Sequence, residues 1–141
     1  MNKILTISEW EIMRVIWTLG EATSNQIIHI MYSKKKWQPS TVKTLLNRIL
    51  QKGFLKTNGA RRNRLYSPTI REHDAMSQTL QTTINSMCSM AIGSALIDLF
   101  DDIPLSHSDI VKLQTLLTQK IKNAPETINC DCLPGDCEDC K

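Results

Sequence analysis

The arrangement that most restricts the fold is a run of three short helical patterns followed within a few residues by two strand patterns around a basic loop. Ser8 with Glu11 has the spacing of a capping box, and Ile12, Val15, Ile16 and Leu19 recur at helical intervals until Gly20 stops them. Thr23 with Gln26 opens a second pattern that carries Ile27, Ile28 and Met31. Pro39 stands where a first helical turn tolerates the missing N–H, and Val42, Leu45, Leu46 and Ile49 give the third pattern one apolar face before Gly53 ends it. Residues 54–57 and 64–66 then read as strands flanking Asn58-Gly59-Ala60-Arg61-Arg62-Asn63. Three short helices in succession suit a helix-turn-helix, and the basic hairpin is the wing of a winged helix.

Charge separates the chain into two halves. Residues 1–71 hold thirteen Lys and Arg against three Asp and Glu, whereas residues 72–141 hold four against eleven, so a net charge of +3 conceals the split. The basic half points to a polyanion, most directly nucleic acid. On the third helix Ser40, Lys43, Thr44, Asn47 and Gln51 fall opposite the apolar set, with Thr41 and Arg48 at the margin. Lys and Arg can donate to guanine, Asn can make a paired contact with adenine, and a Thr methyl can touch the thymine methyl. Ser40, Thr41, Lys43, Thr44, Asn47 and Arg48 are therefore the expected reading face. Lys34, Lys35, Lys36, Arg61, Arg62 and Arg64 are expected on phosphates, which position a protein without reading sequence.

Beyond residue 71 the pattern is helical and too apolar for isolated helices in water. Thr69 with Glu72 has capping-box spacing, and Met76, Leu80, Ile84, Met87, Ala91, Ala95 and Leu99 continue one stripe, with Gly93 a candidate break. Asp101-Asp102-Ile103-Pro104 ends that stripe, and Ser106 with Asp109 starts a helix carrying Ile110, Leu113 and Leu117. A two-fold dimer supplies the missing apolar partner and matches a palindromic DNA site. The longest apolar run, residues 87–100, is interrupted by Ser89, Gly93, Ser94 and Asp98, so neither a membrane span nor a secretory signal is expected, and the location is cytoplasmic. Cys88 falls in the helical pattern and reads as a small core residue.

The last dozen residues carry Cys130-x-Cys132-x4-Cys137-x2-Cys140. Leu133-Pro134-Gly135-Asp136 places Pro and Gly where a type II turn wants them, which brings Cys132 back toward Cys137. Disulfide pairing of these cysteines suits a secreted mini-protein; a thiolate cage for a soft metal suits a chain of this kind. Zn(II) accepts four thiolates tetrahedrally at about 2.3 Å, and Cu(I) favours thiolate sulfur in low-coordinate or clustered sites. The spacing does not choose between them. His29, His73 and His107 are scattered without a nucleophile or acid–base partner set, so no enzyme is expected.

Residues Ile7-Ser8-Glu9-Trp10-Glu11-Ile12-Met13, Ala22-Thr23-Ser24-Asn25, Pro39-Ser40-Thr41-Val42-Lys43-Thr44-Leu45-Leu46-Asn47-Arg48 and Lys52-Gly53 resemble the BlaI/MecI penicillinase-repressor family. With the cysteine tail, the chain is similar to the CopY-type, copper-responsive repressors of that family. The resemblance implies a homodimer on a double-stranded, inverted-repeat operator of copper-homeostasis genes, with Zn(II) in the DNA-bound form and Cu(I) as inducer. A copper chaperone delivering Cu(I) is a further expected partner. The CopY-type tail ends in Cys-x-Cys, whereas here Glu138 and Asp139 separate Cys137 from Cys140, which changes the reach of Cys140. The alternatives are a family repressor answering another metal, thiol redox or proteolysis, and a metal buffer, which has no need of a recognition helix. The expected fold is mainly α with a small β-hairpin: a winged helix-turn-helix over residues 1–71, a helical dimerisation region over 72–123, and a Cys-rich metal-sensing tail over 124–141.

Overall fold

In the computed structural model, which describes residues 3–135, helix α1 spans Ile7–Leu19. Its cap lies earlier than the Ser8 and Glu11 spacing implies. Thr6 is the N-cap: its hydroxyl accepts from the Glu9 N–H at 3.2 Å, and the Glu9 carboxylate accepts from the Thr6 N–H at 3.0 Å. The same carboxylate also meets a long-range charge. Lys52 donates to Glu9 Oε2 at 2.6 Å, fixing a carboxylate that is only 1% exposed, while Glu11 faces Arg14 and Lys34. Removing Lys52 would strand the buried Glu9 carboxylate, so the ion pair and the Thr6 capping box hold the same side chain in place.

Strand β1, Ala22–Thr23, leads into α2, Ser24–Lys35, whose N-terminus is the expected Thr23 and Gln26 capping box. Lys36 closes α2 in the left-handed region at φ 60°, and the chain turns into α3, Pro39–Gln51, with Pro39 in its first turn. The sharp turn after α3 uses Gly53 at φ 85°, a conformation that a Cβ disfavours. Strands β2, Leu55–Thr57, and β3, Leu65–Pro68, pair antiparallel, with Leu55 opposite Pro68 and Thr57 opposite Tyr66. β1 adds to the other edge of β3, with Ala22 opposite Tyr66, so the sheet order is β1-β3-β2. A two-residue strand is too short to show alternation, and sequence pattern misses it.

The apolar faces of α1, α2 and α3 meet in one core. Ile12, Met13, Ile16, Ile27, Met31, Val42, Leu46 and Ile49 are fully buried there, with Phe54, Leu55 and Tyr66 sealing it from the sheet side. Trp17 Nε1 donates to the Ile70 carbonyl at 2.9 Å, tying α1 to the segment after the sheet. Three helices with a three-stranded sheet, two of whose strands form a hairpin after the third helix, make a winged helix-turn-helix.

Helix α4 spans Glu72–Asn85, but Thr69 does not cap it. The Thr69 hydroxyl donates instead to the Gly53 carbonyl and its N–H to the Phe54 carbonyl, so it anchors the wing to the turn after α3. At the start of α4, Arg71 donates to both carboxylate oxygens of Asp74, at 2.8 and 3.1 Å, holding that carboxyl below the usual carboxylate range. Ala75, 1% exposed, belongs to the core of the first unit. The chain divides into two compact units, Met1–Leu80 and Gln81–Lys141, with the division inside α4.

In the second unit α5 spans Ile92–Asp102 and α6 His107–Lys120, followed by a single 3-10 turn at Ile121–Asn123. The break in the stripe falls at residues 86–91, ahead of Gly93, which lies within α5. Ser106 caps α6 as expected, accepting from the Asp109 N–H at 3.1 Å. Neither α5 nor α6 contains a buried residue.

Candidate DNA interface and thiolate cluster

Pro39 starts α3 and the core holds its apolar side, which leaves Ser40, Thr41, Lys43, Thr44, Asn47, Arg48 and Gln51 all exposed. This is the face expected from the sequence, and its rotation is set by Val42, Leu45, Leu46 and Ile49 entering the core together. Thr44 is partly committed: its hydroxyl donates to the Ser40 carbonyl at 2.9 Å, so it offers a methyl and an acceptor rather than a donor. Lys43 and Asn47, one turn apart, retain their full donor sets at the centre of the face.

The wing is held by one asparagine that the sequence reading passed over. Asn58 Oδ1 accepts from the N–H groups of Ala60 and Leu65 at 3.1 and 3.2 Å, and Gly59 at φ 78° lets the loop turn beneath it. Arg61 and Arg62 stand exposed at the tip. Arg64 differs from them. Its Nε donates back to the Ala60 carbonyl at 2.8 Å and its own carbonyl accepts from Ser24, so it braces the wing against the start of α2. The three lysines after Ser33 also separate: Lys34 lies 3.7 Å from Glu11, Lys36 stacks over the Tyr32 ring at 4.9 Å, and Lys35 is exposed.

Within the second unit the tail returns to the turn between α4 and α5. Asp131 accepts from the Ser89 N–H at 3.0 Å and from the Ser89 hydroxyl at 2.6 Å, and these hydrogen bonds, the hydroxyl's first, hold its carboxyl below the usual range. Next to this clasp, the sulfurs of Cys88, Cys130 and Cys132 all lie within 4.8 Å of one another. Cys88 is thus not the core residue that its place in the helical stripe implied; it is half-buried in a turn, facing the tail. Its neighbours in sequence carry no metal-ligand spacing, so pattern reading had no signal for it. Cys130 and Cys132 are brought together, whereas Cys137 and Cys140 lie outside the described residues. Soft sulfur donors at this separation suit Zn(II) or Cu(I), and the Cys132 N–H directed at Cys130 Sγ, 3.4 Å away, is the kind of donor that stabilises a thiolate.

Residues 5–119 match the penicillinase repressor family. An uncharacterised 16.5 kDa protein of Latilactobacillus sakei is 44% identical, over 95% of this chain and 92% of its own. The methicillin resistance regulatory protein MecI of Staphylococcus aureus (strain N315) is 31% identical, over 84% of this chain and 98% of its own. The solution structure of the DNA-binding domain of the repressor BlaI aligns with a TM-score of 0.47 and 36% identity, over 52% of this chain and 93% of that one.

Proposed function

This chain belongs to the penicillinase repressor family, and on that premise we propose that it is a dimeric transcriptional repressor whose grip on an inverted-repeat operator is set by copper. The coarser part, a DNA-binding repressor, follows from the family and from the winged helix-turn-helix. α3 reads the major groove through Lys43, Asn47 and the Thr44 methyl, with Ser40, Thr41 and Arg48 beside them, and Arg61 and Arg62 hold phosphates from the wing. Such a protein works in the cytoplasm, where its operator is; among the described residues no helix is long and apolar enough to cross a membrane.

The observation that carries the metal reading is the convergence of three cysteine sulfurs within 4.8 Å in a unit whose helices bury nothing of their own. Cys130, Cys132, Cys137 and Cys140 would hold Zn(II), which supplies a tetrahedral cross-link between parts of the chain. Cu(I) competes for the same sulfurs as inducer because soft thiolates favour the monovalent ion. Replacing one Zn(II) by two Cu(I) leaves the formal charge of the site unchanged, so the signal passes through geometry: the tail's hold on its unit changes, and with it the spacing of the two reading heads. Exposed Ile97, Leu99, Phe100, Val111, Leu116 and Leu117 on α5 and α6 support a dimer, since a monomer leaves them in water.

The test titrates Zn(II) and then Cu(I) into the reduced protein while following binding to an operator selected from random-sequence DNA by the zinc-loaded form. Cu(I) is expected to weaken binding at least tenfold. Equal binding by the zinc-loaded, copper-loaded and Cys130→Ser, Cys132→Ser, Cys137→Ser, Cys140→Ser proteins would reject copper sensing and leave a family repressor that answers another signal.

A further inference from the structure

We propose that Cys88 is a metal ligand, closing a thiolate site with Cys130 and Cys132 that ties the tail to the turn ahead of α5. The proposal rests on the metal reading of the tail given above, and adds to it a donor from the helical unit. Two thiolates on one tetrahedral ion with metal–sulfur bonds of about 2.3 Å stand about 3.8 Å apart. Cys88 Sγ and Cys130 Sγ are 3.7 Å apart, across 42 residues of chain. The third sulfur, of Cys132, lies within 4.8 Å of both.

The approach of these sulfurs is organised by their neighbours. Ser89 follows Cys88 and Asp131 follows Cys130, and the two hydrogen bonds between Ser89 and Asp131 fasten the segments in the register that sets the sulfurs face to face. Cys88 and Cys130 are half-buried and Cys132 is exposed, so an ion reaches the cluster from solvent and is partly dried once there. Coordination releases one proton from each thiol that binds. The chain carries five thiols, one more than a four-thiolate site takes. The consequence is functional: with Cys88 as ligand, the metal fixes the tail directly to the α4–α5 turn, and exchange of Zn(II) for Cu(I) acts on that turn rather than on a detached tail.

The experiment loads the full-length reduced protein with 113Cd(II), a spectroscopic stand-in for Zn(II), and records through-bond coupling between the metal and cysteine β-protons. Coupling to Cys88 together with Cys130 and Cys132 is expected, and a merely structural Cys88 cannot produce it. In parallel, Cys88→Ser should weaken Zn(II) binding at least tenfold, and Zn(II) should slow alkylation of Cys88 in the unmutated protein. Coupling confined to tail cysteines, with unchanged Zn(II) affinity in Cys88→Ser, overturns this proposal and leaves the tail sensor standing. Absence of coupling to any cysteine overturns both.

Discussion

Where the N-terminal unit encloses eight large apolar side chains completely, the helices α5 and α6 of the C-terminal unit enclose none, although α5 is as apolar in sequence as any helix of the first unit. Ile16 and Leu99 are both large aliphatic members of their respective stripes, yet one is fully buried and the other 43% exposed. Hydrophobic periodicity announces a buried face in both cases. In the first unit three helices and a sheet converge on that face within one chain. In the second the face is open, with Phe100, Ile103, Leu105, Ile110, Leu113 and Leu117 lining an unfilled groove. A unit that folds around itself suits a reading head that must keep its shape on DNA, whereas an open apolar face leaves surface for a partner.

The sharpest way to break this contrast is to delete matched apolar side chains. Leu46→Ala, in the closed core, should cost about 2–5 kcal/mol in denaturant unfolding. Phe100→Ala, 39% exposed, should cost far less at low protein concentration and act instead by weakening dimer assembly, raising the protein concentration at its midpoint. Equal, concentration-independent losses would mean that the second unit has a core of its own and needs no partner.

A smaller effect separates the two kinds of surface within the reading head. Asn47→Ala or Lys43→Ala should each reduce specific operator binding by about 1–3 kcal/mol and spare non-specific binding. Arg61→Ala and Arg62→Ala should weaken both and flatten the salt dependence, since they answer to phosphates. Arg64→Ala should act differently again, loosening the wing because its Nε braces the Ala60 carbonyl. Competition titrations at several salt concentrations distinguish the three patterns, and unaltered discrimination in an Asn47→Ala, Lys43→Ala double variant would remove α3 from the reading role.

The smallest expected effect lies at the start of α4, at the edge of the first unit's core. Hydrogen bonds from Arg71 depress the Asp74 carboxyl, so the contribution of this pair is complete above the ordinary carboxylate range and is lost as pH falls through the depressed value. Because both groups are solvent-exposed, the loss should be slight. An NMR titration of Asp74 should move upward in Arg71→Ala; an unmoved curve would show that the pair is not formed in solution.

The legible parts of the molecule were those with a local period or a local partner. Thr23 with Gln26 closes its own capping box, Pro39 marks the start of α3, and Val42, Leu45, Leu46 and Ile49 set which side of that helix faces out, all from short-range spacing. The misread positions each answer to something distant in the chain. Glu9, the carboxylate of the actual cap at Thr6, is also held by Lys52 from the far end of α3, and Thr69 leaves the α4 terminus to hold Gly53. Cys88 looked like one more member of an apolar stripe because nothing near it in sequence is a ligand.

Sequence alone determined that this chain has a basic, wing-bearing helical half and an acidic half ending in thiols, because charge and helical period are properties of neighbouring residues. Only the tertiary structure decided which apolar stripe would be buried and which left open, and only it carried Asp131 back to Ser89 so that Cys88 met Cys130. Contacts across 42 residues depend on where a turn sends the chain, and no local pattern encodes that direction.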